Sequence, residues 1–283
     1  MRLTAGDLTL ELAPEVGGAI RRFDLSGQPL LRRGPDTGGH VLDMGCFPLV
    51  PFSNRIRGGR FVCDGRDIVL KPNMPPDPSP LHGQGWLNPW QIVASDEARA
   101  TLRFDHQPGE WPWTYEAEQQ FVLDERGLSL RLTCTNRSPE PMPCGLALHP
   151  YYPCDGDTVL DACVTHAWTI DEHTLPVERV PAEGRYSLHA RRICGQTLDH
   201  GFDGWDGRAT IDWGPGKAKL VLTSPDAPRM QVYSPATGGY FVGEPVQNAN
   251  CALNAPQDRW AELGLVMLGQ GESHAVHARL DLG

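Results

Sequence analysis

The chain has 283 residues, enough to bury a sizeable core, and carries 25 Lys+Arg against 35 Asp+Glu. That acidic balance argues against nucleic acid or an anionic membrane as principal partner, because both reward a basic surface. No apolar run approaches the roughly 20 residues of a membrane helix, and residues 1–7 lack the apolar segment of a secretory signal, so a cytoplasmic location is expected.

Glycine (31) and proline (26) are abundant, which favours many turns over long helices. The first periodic segment has Leu8, Leu10 and Leu12 alternating with Thr9 and Glu11, the period-two signature of a half-buried strand. An apolar run, residues 47–52, then leads into Asn54-Arg55-Ile56. An arginine emerging from such a run is either a surface residue at a strand end or one aimed into a cleft, where its planar fork binds sugar oxygens or a carboxylate.

Asp64-Gly65 separates two short apolar segments, residues 60–63 and 67–70, and signals a type I′ hairpin. Five prolines in residues 71–80 exclude a helix or central strand and indicate a stiffened loop leading into Leu81-His82-Gly83. Glycines on both sides of Gln84 let backbone approach a ligand closely, which makes His82 a binding candidate beside its plainer role as a structural histidine.

Leu128, Leu130, Leu132 and Cys134 form another alternating strand. The run Leu148-His149-Pro150-Tyr151-Tyr152 follows a short apolar segment, and Pro150 favours extended backbone at His149. An imidazole at the end of a buried strand exchanges protons near neutral pH, unless it is simply a core histidine satisfied by backbone. Asp199, in Leu198-Asp199-His200-Gly201-Phe202, is a candidate acceptor for adjacent hydroxyls, with Asp203 and Asp206 as rivals that could equally cap turns.

Glu244 closes an apolar segment, residues 240–243, and precedes Pro245. A carboxylate buried there costs several kcal/mol unless paired or used, so it is a candidate base with a raised pKa. A short helical turn is expected in residues 256–263, and Val276, Ala278, Leu280 and Leu282 form a final strand. No two of the eight cysteines lie within four residues, and they are expected as reduced, mostly buried apolar side chains. With no repeat and no linker, one antiparallel β domain spanning residues 1–283, its sheets packed face to face, is the economical reading.

These segments, in this order, resemble the aldose 1-epimerase (mutarotase) family. Asn54-Arg55-Ile56 with Gly59-Arg60-Phe61 and Asp64-Gly65 is similar to its N-terminal arginine motif and following hairpin. Leu81-His82-Gly83 resembles its first histidine motif, and Leu148-His149-Pro150-Tyr151-Tyr152 the second. Leu198-Asp199-His200-Gly201-Phe202 is similar to its substrate-binding aspartate motif, and Gly243-Glu244-Pro245-Val246, with Asn254 beyond it, to the segment bearing its glutamate.

The resemblance spans residues 13–272 and implies an all-β supersandwich with few short helices. The implied activity is interconversion of the α and β anomers of an aldose, with Glu244 as base and His149, protonated, as acid. Arg55, His82, Asp199 and Asn54 would bind the sugar. No metal or cofactor is implied, and the expected partner is a small sugar, handled by a monomer or homodimer. Gln247-Asn248, where many members carry a hydroxyl residue and then His, departs from the pattern and leaves the sugar open. So do the residues after the first histidine motif and after the aspartate motif.

Two rivals use the same scaffold. A hexose-6-phosphate mutarotase would need cations for the phosphate, for which Arg57, Arg60 or Lys71 are candidates. A sugar-binding protein without catalysis would need no proton relay, which His149 and Glu244 provide. A metal-dependent cupin-like isomerase is disfavoured, because no His-x-His core exists and His274 and His277 fall on opposite faces of one strand.

Overall fold

The computed structural model describes all residues from Met1 to Gly283. The alternating segments become strands as expected, at Leu8–Ala13, Gly127–Asn136 and Ser273–Leu282. Every pairing within the named sheets is antiparallel, and the only helical elements are short 3-10 turns. The helical turn expected in residues 256–263 is such a turn, Gln257–Arg259.

Two large sheets make the sandwich. The nine-stranded sheet has Ser273–Leu282, Gly127–Asn136 and Tyr115–Asp124 adjacent near its middle. The eight-stranded sheet contains, side by side, His166–Ile170, Leu198–Asp203, Arg229–Ser234, Tyr240–Val246 and Ala147–Leu148. Leu128, Leu130 and Leu132 from the first sheet share one core with Leu198, Phe202, Met230, Val232 and Phe241 from the second. That shared core is what makes two sheets one sandwich, through the burial of apolar area on both inner faces.

A second, smaller apolar cluster lies on the other side of the eight-stranded sheet. It joins Phe47, Leu81, Trp86, Tyr151, Val242 and Val246. The hairpin after Arg55 pairs Arg60–Cys63 with Arg66–Val69 across Asp64 (φ 50°) and Gly65 (φ 76°), the double positive φ of a type I′ turn. Residues 71–80 form no strand, as their prolines require.

The cysteines depart from expectation at one place. Cys154 and Cys194 are joined as a disulfide, while the other six are free and Cys163 alone among them is exposed.

Candidate active site

Strand alternation decides which side chains meet. In Leu198–Asp203, Leu198, His200 and Phe202 turn away from the cavity, the two apolar ones into the main core, which leaves Asp199 on the opposite face. In Arg229–Ser234, Met230 and Val232 enter the core, so Gln231 and Tyr233 share the face of Asp199. In Tyr240–Val246, Phe241 enters the core, and Tyr240, Val242 and Glu244 lie on the same outer side. The register pairs Asp199 with Tyr233, and Gln231 with Glu244. Glu244 therefore sits inside its strand rather than at its end, and Pro245 continues the pairing opposite Met230.

Loops complete a cavity of about 320 Å³ over this face. All six sequence-predicted residues, Asn54, Arg55, His82, His149, Asp199 and Glu244, line it together with Leu42, Met74, Leu81, Tyr151, Gln231, Tyr233 and Tyr240. The volume falls in the range of about 300–1,000 Å³ common for small-molecule sites.

His149 Nε2 lies 3.3 Å from Glu244 Oε1, and both side chains are buried. The imidazole stacks on Phe47 (4.5 Å, 18° between planes) and packs against Tyr151 (4.8 Å), so its orientation is fixed by aromatic contacts. Burial is the main influence on both groups. It pushes His149 down to about 3, helped by the positive charge of Arg32, and raises the Glu244 carboxyl well above its ordinary range, with Asp199 adding to the rise and Arg55 opposing it. Burial thus disfavours the charged form of each member of the pair.

His82 and Asn54 hold each other through backbone. His82 N–H donates to the Asn54 carbonyl (3.0 Å), and Asn54 N–H donates to His82 Nδ1 (3.1 Å). Both residues have positive φ, 64° and 61°, which Asn and His tolerate better than most side chains. Because Nδ1 accepts, the ring proton sits on Nε2, and burial together with His149 and Arg55 keeps the ring neutral. His82 is thus a neutral hydrogen-bond donor.

Gly83 follows at φ 70°, and a Cβ there would overlap the Val50 carbonyl oxygen. Gly83→Ala is expected to cost about 2–4 kcal/mol of unfolding free energy, because backbone cannot yield as a side-chain tip can. Chemical denaturation checks this, and a loss below about 0.5 kcal/mol would show that the segment accommodates the methyl group.

Arg55 donates from Nε to Asp77 Oδ2 (2.8 Å), and its guanidinium also contacts Asn54 Oδ1 (3.3 Å). Asp199 accepts from Gln231 Nε2 (2.8 Å), and burial raises its carboxyl despite Arg55 nearby. The rival aspartates are occupied elsewhere. Asp203 accepts from Trp168, Arg179 and Arg229, and Asp206 caps the turn at Arg208. Arg55 forms an isolated bridge with Leu81 and belongs to no strand. Arg57 lies in the 3-10 turn Arg57–Gly59 and donates to the Pro176 carbonyl. Lys71 is paired with Glu110 at the surface, and Arg60 is exposed.

The unusual Gln247-Asn248 pair has a structural use. Gln247 bridges Leu146 N–H and the Ala275 carbonyl, and Asn248 accepts from and donates to Ser53. Asn250 accepts from Arg55 N–H and Asn254 from Arg57 N–H. These amides tie the strand of Glu244 to the segment of Arg55.

A family model for aldose 1-epimerase matches residues 2–281. The chain belongs to the aldose 1-epimerase family. The uncharacterized protein YphB of Escherichia coli strain K12 is 35% identical to it over 284 residues, covering 96% of this chain and 94% of YphB. A crystal structure of an Escherichia coli K12 protein superposes with a TM-score of 0.92 at 31% identity, covering 100% of this chain and 98% of that one. Galactose 1-epimerase from Lactobacillus acidophilus NCFM shares the fold at a TM-score of 0.80 and 14% identity, covering 99% and 92%.

In this aldose 1-epimerase family member, sequence reasoning missed Gln231, Tyr233 and Tyr240. Met230-Gln231-Val232-Tyr233 alternates, so the polar members of a strand beside Asp199 were available as a signal. Nothing in the sequence ties Asp77 to Arg55 across 22 residues of chain.

Proposed function

We propose that this protein is a mutarotase that interconverts the α and β anomers of a free aldose. The observation that carries this reading is the His149–Glu244 pair, 3.3 Å apart and buried on the wall of a sugar-sized cavity. Anomer exchange needs a proton removed from the C1 hydroxyl while another reaches the ring oxygen, and a one-proton pair supplies one acceptor and one proton.

Burial disfavours charge on both groups, so in this reading Glu244 carries the pair's proton in the free enzyme. A bound sugar replaces the direct contact with hydrogen bonds to its hydroxyls, which favour the carboxylate, and the proton passes to His149. Glu244 then takes the C1 hydroxyl proton as His149 delivers its own to the ring oxygen. The C1–O5 bond breaks and an open-chain aldehyde forms. Rotation about C1–C2 presents the other face, and reversal of both transfers closes the opposite anomer. Protons balance without a metal or covalent intermediate, and paired acid–base help of this kind is worth about 10²–10⁴-fold.

His82 Nε2–H and Arg55 donate to oxygens that gain charge, and Asp199 accepts from ring hydroxyls. Tyr151, Tyr233 and Tyr240 offer the apolar faces that a sugar ring's C–H side packs against.

The pH dependence follows from the proton count. The pair works while it holds one proton, so kcat/KM is expected to be level through neutral pH. It falls on the acid side as the Asp199 carboxyl, raised by burial, takes up a proton and, lower still, as a second proton reaches His149 at about 3. On the alkaline side it falls as the raised Glu244 carboxyl finally ionises and the only proton is lost. Rate profiles corrected for spontaneous mutarotation check this. An acid limb near the ordinary imidazole value of about 6.5 would contradict it. Polarimetry of freshly dissolved α-anomers across free aldoses and hexose 6-phosphates tests the reading itself, with acceleration expected for the free sugars. No acceleration of any sugar would defeat it.

A further inference from the structure

Arg55 is the only cationic side chain among those lining the cavity. It does not present a free charge. Asp77 Oδ2 accepts from its Nε at 2.8 Å, and the two side chains are 13% and 12% exposed, so solvent screens the pair poorly. The carboxylate of Asp77 is itself fixed, because its Oδ1 accepts from Ser79 N–H at 2.8 Å. The loop carrying it is closed on itself by Asn73, which both donates to the Leu81 carbonyl (2.8 Å) and accepts from Leu81 N–H (3.0 Å). Met74 of the same loop lines the cavity.

Asp77 does not itself line the cavity; it sets a carboxylate against Arg55, the one cation that does. Its influence reaches Asp199, whose carboxyl it helps to raise. The other cations are held elsewhere. Arg57 and Lys71 are engaged as described, and Arg32 stacks over Tyr151 (3.8 Å) and Tyr240 (4.8 Å) while donating to the Met44 carbonyl (2.9 Å).

We propose that Asp77 is a specificity-determining residue that neutralises Arg55 and so restricts the cavity to uncharged aldoses, a proposal that rests on the mutarotase reading. A sugar bearing a carboxylate or phosphate would meet the Asp199 carboxyl and no free cation. An uncharged hexose would still find the Arg55 donors, oriented by Asp77, and would bear no cost of charge desolvation.

The test compares kcat/KM for glucose and for glucuronate, a sugar of similar size with an anionic C6 group, in the wild type, Asp77→Asn and Asp77→Glu. Asp77→Asn keeps an oxygen for Arg55 and removes the charge. The glucuronate-to-glucose ratio is expected to rise about tenfold in Asp77→Asn and to stay near the wild-type value in Asp77→Glu. Should Asp77→Asn not fold, Asp77→Ser takes its place, with the same rise in the ratio expected.

An unchanged ratio in Asp77→Asn, or in Asp77→Ser where that variant replaces it, overturns the proposal while leaving mutarotation of glucose standing. Acceleration of neither sugar by the wild type overturns the mutarotase reading and this proposal with it.

Discussion

Glu244→Gln is expected to lower kcat for anomer exchange by about 10³-fold while leaving sugar affinity within a few-fold of the wild type. The amide keeps the shape of the carboxyl and its contact with His149, but it can neither hold nor release the proton that the pair shares. Stability should respond differently. Burial disfavours the ionised carboxyl, so in the folded protein Glu244 titrates well above its unfolded value. The folded state binds the extra proton between those two pKa values, and its stability declines there as pH rises. An amide at this position cannot ionise, so the variant is expected to unfold at the same temperature as the wild type or higher at neutral and mildly alkaline pH. Turnover near the wild-type level would remove Glu244 from the chemistry. A collapse of the unfolding temperature together with activity would make the loss a folding effect.

His149→Asn is expected to lower kcat by about 10²–10³-fold with a smaller change in KM, because its role is realised in the transition state. The smaller side chain also gives up stacking on Phe47 and Tyr151, so a stability loss of about 1–3 kcal/mol should accompany it. Combining it with Glu244→Gln should cost little more activity than either change alone, since the two residues act as one proton-handling unit. Fully additive losses would mean that they act independently. An increase confined to KM would make His149 a binding residue. His82 is poorly placed to replace it as acid, because its Nδ1 already accepts from Asn54 N–H and burial keeps the ring neutral.

The fold was legible wherever apolar residues alternate over several positions, as in Leu8–Ala13 and Ser273–Leu282, because one face of each strand is buried and the other is not. The candidate site residues were singled out on other grounds. Pro150, Pro245 and Gly83 stand beside His149, Glu244 and His82, and the order of the five segments resembles the family's; the structure brings the six residues to one cavity.

What stayed hidden depends on distance through space. Asp199, Asp203 and Asp206 look alike in sequence. They are separated by register, which sets Asp199 across from Tyr233 and Asp203 across from Arg229. Asp77 meets Arg55 only because a proline-rich loop folds back on itself. The Cys154–Cys194 pair, 40 residues apart, is one of many pairings that eight cysteines allow. The directions in which His149 and Glu244 are shifted could not be read from residue types, because burial is their main cause.

The most direct measurement of the central claim is magnetisation exchange between the α- and β-anomeric protons of glucose or galactose, recorded by NMR at equilibrium with catalytic amounts of protein. Exchange that speeds up in proportion to wild-type protein, and returns to the spontaneous rate with Glu244→Gln, is the predicted result. Exchange at the spontaneous rate with the wild type across the free aldoses, or undiminished acceleration by Glu244→Gln, would contradict it.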